Sequence, residues 1–339
     1  MRFAFSEDQL LLAEAARSFL ARECRPERLR EAWDGQGHLG DIWAGLAAMG
    51  ATGLLVPEAE GGLALTEIDL VLVVEETGRA GLPGPFVETV AVAAPAFASM
   101  ADSRQRTAWL SGIADGSLLV GAGICSPLAT CADIAGLVLA DHDGALLAVP
   151  TEALDVQAQP SIDRCRRLFS YNLDDAARSR STEVIAENPD RSALGDAFDR
   201  GALAAAAQLI GLSDRMLDMT VDYVKERQQF GVPIGSFQAV KHRLADALLA
   251  VSFARPAVYN AAYSTACGLE DRSRDVSVAK ALSSEAAAAV SSCALQCHGA
   301  IGYTVEYDLH LYMKRSWALC RAWGDASWHR DRVGAALGI

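Results

Sequence analysis

The stretch Arg227-Gln-Gln-Phe-Gly-Val-Pro-Ile-Gly-Ser-Phe-Gln238 separates two long helical patterns in the C-terminal half of the chain. Apolar residues recur at helical spacing over residues 201–226 and again after Ser236, which can cap the second helix. The Gly and Pro residues between the two patterns predict a tight turn. The same turn carries a guanidinium, two aromatic rings and side-chain amides at close spacing, so it also offers groups that can bind a ligand.

Two interpretations of this stretch are open from its residues alone. In the first, Arg227 makes two parallel hydrogen bonds to a diphosphate, and Phe230 and Phe237 pack against a base or a flavin edge. Gln238 can both donate to and accept from adenine. In the second, the stretch is a plain helix-helix turn in which Arg227 forms a surface ion pair.

The overall composition is typical of a globular protein. Of 339 residues, 51% are hydrophobic and 22% are charged, so the chain can bury a large core. A formal net charge of −13 argues against non-specific nucleic-acid binding, which depends on neutralising phosphates. The apolar stretches are rich in Ala and interrupted by charge, so we expect no membrane span. Without a signal peptide at the start, we expect a cytoplasmic protein.

The eight cysteines indicate free thiols rather than a metal site. Cys293 and Cys297 lie four residues apart on a predicted helix, beside His298, but no second ligand pair occurs at zinc spacing. We therefore expect buried thiols in a reducing cytoplasm and no bound metal.

The first third of the chain is predicted to be almost entirely helical. Ser6-Glu-Asp-Gln9 is a capping box at a helix start, and the helical pattern continues to about Glu23. A short helix is predicted at 41–49, Thr66 caps a longer one, and residues 88–115 have a helical pattern again. We assign residues 1–116 to an N-terminal helical domain.

A small, shortened β domain is predicted over residues 117–185. The turn Asp141-His-Asp-Gly144 joins two of its strands and is typical of a hairpin. The strand-like runs are 118–124, 134–140, 145–149 and 168–173.

Residues 186–339 are predicted to form a helical bundle that contains the Arg227–Gln238 stretch. The chain is then mainly α with a small β domain. A doubly wound α/β fold is disfavoured because strands and helices do not alternate, and no G-x-G-x-x-G follows a strand.

A second group of candidate residues is Gln296-Cys-His-Gly-Ala-Ile-Gly-Tyr-Thr304. Gly299 and Gly302 end a helix and allow another backbone to approach closely, and Gln296 could reach a ligand there. The alternative is a Gly-terminated helix and nothing more. His242 and His298 lie near these motifs, but neither has a Ser or Cys partner at a recognisable spacing, so a structural role is favoured.

Taken in order along the chain, these motifs resemble the acyl-CoA dehydrogenase family over nearly the whole length. The resemblance implies FAD, a helical domain, a β domain and a C-terminal four-helix bundle, usually in a tetramer. It also implies α,β-dehydrogenation of an acyl-CoA thioester, in which a carboxylate removes the α-proton and hydride passes from Cβ to the flavin. The motifs are Ser6-Glu-Asp-Gln9, Trp43…Gly50…Gly53…Pro57-Glu-Ala-Glu-Gly-Gly62, Glu75-Glu-Thr-Gly-Arg79, Arg227-Gln-Gln-Phe-Gly231…Phe237-Gln238 and Gln296…Thr304.

The family resemblance further implies which residues contact the cofactor. In the family, the Arg-x-x-Phe-Gly…Phe-Gln motif of one subunit binds the ADP half of the FAD held by its neighbour. Carried onto this chain, the cofactor-binding residues are Arg227, Gln229, Phe230, Ile234, Phe237, Gln238, Gln296, Gly299 and Ala300.

The chain departs from the family at the catalytic base. The family base is a Glu in the loop after the Gly-Tyr-Thr helix or a Glu on the first helix of the bundle. Counting along the chain places these positions at Gly324 and Gly201, so neither carries a carboxylate. Asp325 is one residue away and is a weak candidate, since Asp is shorter than Glu and points elsewhere on a turn.

The chain also departs from the family in the β domain. Gly121-Ala-Gly-Ile-Cys-Ser-Pro127 replaces the first flavin-side strand of the family, and two further flavin-side segments are missing. The part of the FAD site that the chain donates to a neighbouring subunit is intact. The part that would hold the flavin ring and the catalytic base is not.

This asymmetry predicts a base-less subunit that completes the FAD site of a partner. Paired α2β2 acyl-CoA dehydrogenases of this kind are similar to the chain and are associated with actinobacterial steroid side-chain degradation. Two alternatives stay open: an active homo-oligomer with Asp325 as a displaced base, and a non-enzymatic CoA-ester-binding or scaffold protein. The acyl group and the electron acceptor are not indicated by the sequence.

Overall fold

The computed structural model describes residues 4–35, 40–185 and 192–339. The 185/186 domain boundary expected from the sequence falls next to residues 186–191, which lie outside the described residues, and the three-domain division stays a prediction. The helices are α1 Glu7–Glu23, α2 Pro26–Asp34, α3 Gly40–Ala48, α4 Glu67–Ala80, α5 Ala94–Ala98, α6 Arg104–Ala114, α7 Asp175–Arg180, α8 Ala193–Glu226, α9 Gln238–Ala266, α10 Arg272–His298, α11 Leu309–Arg321 and α12 Ala326–Leu337. The strands are β1 Val120–Gly123, β2 Leu128–Thr130, β3 Leu137–His142, β4 Ala145–Pro150, β5 Asp155–Gln159, β6 Leu168–Asn172, β7 Thr182–Glu183, β8 Gln228–Gln229 and β9 Val232–Pro233.

Side-chain caps start the N-terminal helices where the sequence indicates. Ser6 Oγ accepts a hydrogen bond from Gln9 N at 3.2 Å, and Gln9 Oε1 accepts from Ser6 N at 2.8 Å, which completes the capping box of α1. Thr66 and Asp69 form the same arrangement before α4. The segment 88–115 is helical in three pieces: a π-helical stretch, Val87–Ala93, then α5 and α6.

The middle of the chain forms two small sheets. The first has the strand order β1-β3-β4-β7 and the second has the order β2-β6-β5. The expected hairpin joins β3 to β4 through Asp143 (φ 49°) and Gly144 (φ 82°), the two left-handed residues of a type I′ turn. The sequence missed β2, β5 and β7 because these strands are short or largely exposed, so alternating burial gives little signal.

The C-terminal helices pack around α8, which is 34 residues long and contacts α4, α9, α10 and α11. Its close approach to α4 depends on glycine. A Cβ on Gly211 would lie 1.9 Å from Glu75 O, and a Cβ on Gly78 would lie 2.2 Å from Gln208 O. α9 begins at Gln238 without a side-chain cap, and the Ser236 hydroxyl donates to Pro233 O at 2.7 Å. The expected Ser236 cap is therefore wrong.

One large apolar core unites the N-terminal helices, the C-terminal helices and one face of the first sheet. A second, smaller core lies within the β unit. Neighbouring residues of β3 divide between them: Leu139 belongs to the large core and Val138 to the small one, because successive side chains in a strand point to opposite faces. The fold is thus mainly α with a small β region between two helical parts.

Candidate functional site

The Arg227–Gln238 stretch forms a tight hairpin between α8 and α9. Gln228–Gln229 pairs antiparallel with Val232–Pro233, and the two residues between the strands are Phe230 (φ 54°) and Gly231 (φ 80°). Ile234 N donates to Arg227 O at 2.8 Å and closes the turn. Two consecutive left-handed residues suit a type I′ turn, which favours glycine at its second position.

The side chains of this hairpin point away from the core. Phe230 is 92% exposed and Phe237 is 37% exposed, with ring centroids 6.1 Å apart in an edge-to-face arrangement. Within the described residues, the Arg227 side chain has no hydrogen-bond or ion-pair partner, so the surface ion pair of the alternative interpretation is absent there. Exposed aromatic rings beside an unpaired guanidinium leave this surface free to contact a ligand.

The second motif lies at the same end of the helical bundle. α10 ends at His298, and its C-cap Gly299 has φ 68° with no atom within 4 Å of a built Cβ. The rings of Tyr223 and His298 stack at 4.2 Å, and Tyr223 is one helical turn before Arg227. This stacking holds the two motifs next to each other, with Gln296 and Ala300 exposed.

His298 supports this junction through a hydrogen bond to its own helix. Its Nδ1–H donates to Ala294 O at 2.8 Å, and burial lowers the pKa of His298. The nearby thiols are free: Cys293 is buried and Cys297 is half-buried. A hydrogen bond from Cys293 lowers the pKa of Cys297 to about 7.

In the N-terminal third of α8, Gly201 is buried, and an indole ring occupies the space that a side chain would take. A Cβ built on Gly201 would lie 2.5 Å from Cδ2 and Cε3 of Trp323. Real Cβ atoms do not approach ring carbons this closely, so any side chain at 201 requires Trp323 to move.

Gly324 is constrained by both its backbone and its neighbours. Its φ is +81°, a left-handed conformation that favours glycine, and it follows Trp323 at φ 56°. A Cβ on Gly324 would lie 2.7 Å from Trp328 Cε3 and 2.9 Å from His329 Nε2. A glutamate at this position would therefore be strained and obstructed.

A small cavity of about 30 Å³ lies beside the Trp323 indole, bounded by the β unit, α8 and α11. Ligand pockets for drug-sized molecules are roughly ten times larger or more, so an isoalloxazine ring does not fit this space. Three charged side chains line the cavity, Glu88, Arg166 and Arg315, and burial lowers the pKa of Arg166. The remaining lining residues include Thr130, Cys131, Ala205, Gln208 and Leu319.

Comparison with known proteins identifies the family. The model of the acyl-CoA dehydrogenase C-terminal domain matches residues 192–338, and that of the N-terminal domain matches residues 6–117. The acyl-CoA dehydrogenase IpdE2 of Mycolicibacterium smegmatis is 34% identical over 314 residues, which is 92% of this chain and 93% of that protein. The chain belongs to the acyl-CoA dehydrogenase family. This is an oxidoreductase family whose cofactor is FAD.

Solved structures agree with this assignment. The steroid ACAD Tcur3481–Tcur3483 superposes with a TM-score of 0.88 at 26% identity, covering 98% of each chain. The ChsE4–ChsE5 complex from Mycobacterium tuberculosis superposes with a TM-score of 0.86 at 24% identity, covering 100% of this chain and 99% of that one. The second likeness speaks to the fold alone. The acyl-CoA dehydrogenase fold expected from the sequence is confirmed.

The weak base candidate of this acyl-CoA dehydrogenase chain, Asp325, is already bound at a helix start. Its Oδ1 accepts from Trp328 N at 3.0 Å as the N-cap of α12, and its Oδ2 accepts from Arg321 Nη1 at 3.1 Å. The backbone hydrogen bond from Trp328, followed by the charge of Arg321, holds the pKa of Asp325 below its usual range. A carboxylate held in this way is a weak proton acceptor.

Sequence reasoning missed the residues that surround the two glycines. Trp323, Lys280 and His329 close the site, and Glu88 and Arg166 line the remaining cavity. Two signals were present: an indole directly before Gly324, and a lysine within an Ala- and Ser-rich stretch of α10. Neither residue belongs to a periodic sequence pattern that would predict its contact with a distant helix.

Across residues 4–35, 40–185 and 192–339, no group of three or more His, Cys, Asp or Glu side chains could hold a metal ion. In the same part of the chain, none of the helices combines the length and apolarity needed to cross a membrane.

Proposed function

We propose that this chain is a subunit of an FAD-dependent acyl-CoA dehydrogenase that lacks its own base and completes the FAD site of a partner subunit. The observation that carries the proposal is the contrast between its two half-sites. Arg227, Phe230, Phe237 and Gln238 have exposed side chains, whereas Gly201 and Gly324 are glycines whose surroundings leave no room for glutamate.

The exposed half fits the adenine-diphosphate end of FAD. Arg227 would hold the diphosphate, Phe230 and Phe237 would pack against the adenosine part, and Gln238 would hydrogen-bond to the adenine. Gln229 and Ile234 hold the hairpin in shape. Gln296, Gly299 and Ala300 frame the same surface, and the absent Cβ of Gly299 lets the cofactor backbone come close. Bound FAD supplies the hydride acceptor.

The buried half does not fit the flavin end. Its cavity of about 30 Å³ contains charged side chains, and no carboxylate stands at either base position. The base that takes the α-proton then belongs to the partner, and the reaction occurs at the interface. Similarity to the steroid ACAD Tcur3481–Tcur3483, which is named for two components, supports a two-component assembly, for which we propose α2β2, and a steroid CoA ester as the substrate class.

The test is to purify this chain alone and together with an acyl-CoA dehydrogenase subunit that carries a base and is encoded beside it. We expect FAD only in the complex. Arg227→Ala should weaken FAD binding by the complex about 10- to 100-fold, the loss expected for charge-assisted hydrogen bonds. Lys225→Ala is the matched control. Lys225 is a cation at the end of α8, two residues before Arg227, and its side chain is 68% exposed. A lone chain that binds FAD stoichiometrically and reduces it with an acyl-CoA would refute the proposal.

Asp325→Asn separates this proposal from an active homo-oligomer. Asn is as good a helix N-cap as Asp, so α12 should be retained. We expect turnover of the complex to be unchanged. Loss of turnover with FAD still bound would assign the base to Asp325 instead.

A further inference from the structure

We propose that Lys280 is a positioning residue. By donating hydrogen bonds to the turn after α11, it keeps the Trp323 indole beside Gly201 and so closes this chain's own cavity. The inference rests on the proposed function, in which that cavity holds neither flavin nor acyl group. To the proposed function, this inference adds which residue keeps the cavity closed.

Lys280 is a buried cation held by neutral acceptors. It lies in α10 and is 0% exposed. Its Nζ donates to Gly324 O at 2.9 Å, to Cys320 O at 3.3 Å and to Ser284 Oγ at 3.1 Å. Among the described residues, no carboxylate lies within ion-pair distance of Nζ. The three ammonium hydrogens are therefore all used, and two of them hold the same turn.

The bonded carbonyls lie on both sides of Trp323. Cys320 O belongs to the last turn of α11, where helix carbonyls lack intrahelical partners and attract a cation. Gly324 O follows Trp323 directly. If the turn moved, a buried ammonium would lose two acceptors, which is costly in a low-dielectric interior.

His329 supports the same arrangement from α12. It is 0% exposed, and its Nε2–H donates to Trp323 O at 2.7 Å. The carbonyls of 320, 323 and 324 are all held, so Trp323 keeps a left-handed φ of 56° that an isolated Trp would rarely adopt. The indole then lies against the bare backbone of Gly201, with the Phe198 ring 6.1 Å away.

Fluorine NMR of protein labelled with 5-fluorotryptophan tests the role of Lys280. The chain has six Trp residues, and loss of a resonance in Trp323→Phe assigns the signal of Trp323. We expect Lys280→Met to shift or broaden the Trp323 resonance while that of Trp33 stays in place. Lys314→Met is the matched control: Lys314 Nζ lies 5.1 Å from the Trp33 ring centroid, so it should move Trp33 and leave Trp323 unchanged.

The outcomes separate positioning from a general effect on stability. A folded Lys280→Met protein whose Trp323 resonance is unchanged would overturn the proposal, whatever its melting temperature. Lys280→Gln is the second variant if Lys280→Met does not fold. It is shorter and neutral and should also displace the Trp323 resonance.

A ligand-uptake experiment tests whether the indole closes the cavity. Trp323→Ala should leave a space that takes up free indole, detected by titration calorimetry, because the deleted ring leaves its contacts with Gly201 and Phe198 unfilled. The wild type and Trp328→Ala should show no uptake, since Trp328 is 46% exposed and lies outside the cavity. If a folded Trp323→Ala protein took up no indole, the proposal that the Trp323 ring closes the cavity would be overturned. These assays need no FAD or partner, so their failure is distinguishable from failure of the proposed function.

Discussion

Gly201 and Gly324 are glycines for different physical reasons. Gly201 has ordinary helical geometry, and the contact with Trp323 is what excludes a side chain. Gly324 has a left-handed backbone that disfavours any side chain, and two neighbours also obstruct it. Restoring a glutamate by a single substitution at either position therefore requires the surroundings to repack.

Gly201→Ala tests the packing at the first position. A new Cβ 2.5 Å from the indole should lower the free energy of unfolding by about 1–3 kcal/mol, the usual cost of overpacking. Gly195→Ala on the same helix is the control, because its Cβ would meet only Ser192 at 3.5 Å, so no loss is expected there. Denaturant unfolding of both variants measures the difference. Equal stability of the two would contradict this account of Gly201.

His329 gives the protein a pH dependence with a defined sign. Burial lowers the pKa of His329 to about 4 from 6.5. Between these values the unfolded chain binds a proton that the folded chain does not, so stability is complete above pH 6.5 and falls as the pH drops toward 4. The maximum loss is roughly 3 kcal/mol.

The measurement compares unfolding free energies at pH 7 and pH 5. The wild type should lose about 2 kcal/mol more than His329→Gln over this interval, because Gln keeps a donor but does not titrate there. The exposed His242→Gln variant is the control and should follow the wild type. If the unfolding free energies of the wild type and of His329→Gln changed equally between pH 7 and pH 5, His329 would not be the source of the pH dependence.

At the scale of elements, one arginine links three helices. Arg255 of α9 donates to Glu75 of α4 at 2.6 Å and to Asp214 of α8 at 2.7 Å. Glu75 is only 6% exposed, so its carboxylate depends on this cation and on Tyr259 for hydrogen bonds. The two ion pairs of Arg255 therefore fix the position of α9, the helix after the hairpin, against α4 and α8.

Arg255→Met should lower the free energy of unfolding by about 2–4 kcal/mol, because it leaves a buried carboxylate without its cation. The range allows for the 30% exposure of the arginine side chain. Arg321→Met is the matched control: that arginine is 80% exposed and pairs with Asp325, so a loss below about 1 kcal/mol is expected. Thermal and denaturant unfolding give both values. A similar loss in the two variants would contradict the role of burial.

At the scale of the whole molecule, the two cores predict unequal local stability. The β unit has a small core of its own, whereas α8 and α10 belong to the large one. Amides in β5 and β6 should therefore exchange with solvent at least about tenfold faster, after correction for intrinsic rates, than amides at the centre of α8. Hydrogen exchange followed by mass spectrometry measures this, and equal protection of strands and helix would show one cooperative unit.

The local features of the chain were readable from its sequence for local reasons. The caps at Ser6 and Thr66 and the Asp143-Gly144 hairpin turn depend on residues a few positions apart. The helix break after Phe97 was harder to predict, because Ser103 begins a new helix inside a stretch whose sequence pattern is continuously helical. Strand β5 was missed because it is largely exposed and has little alternation to detect.

By itself, the sequence determined the mainly α architecture, the family and the tight turn within Arg227–Gln238, since each rests on local spacing and turn chemistry. Only the tertiary structure decided that Trp323 lies against Gly201, that Lys280 holds Gly324 O, and that the cavity beside the indole measures about 30 Å³. The reason is physical: these contacts join residues far apart in the chain, and close packing of their side chains depends on where every intervening helix lies.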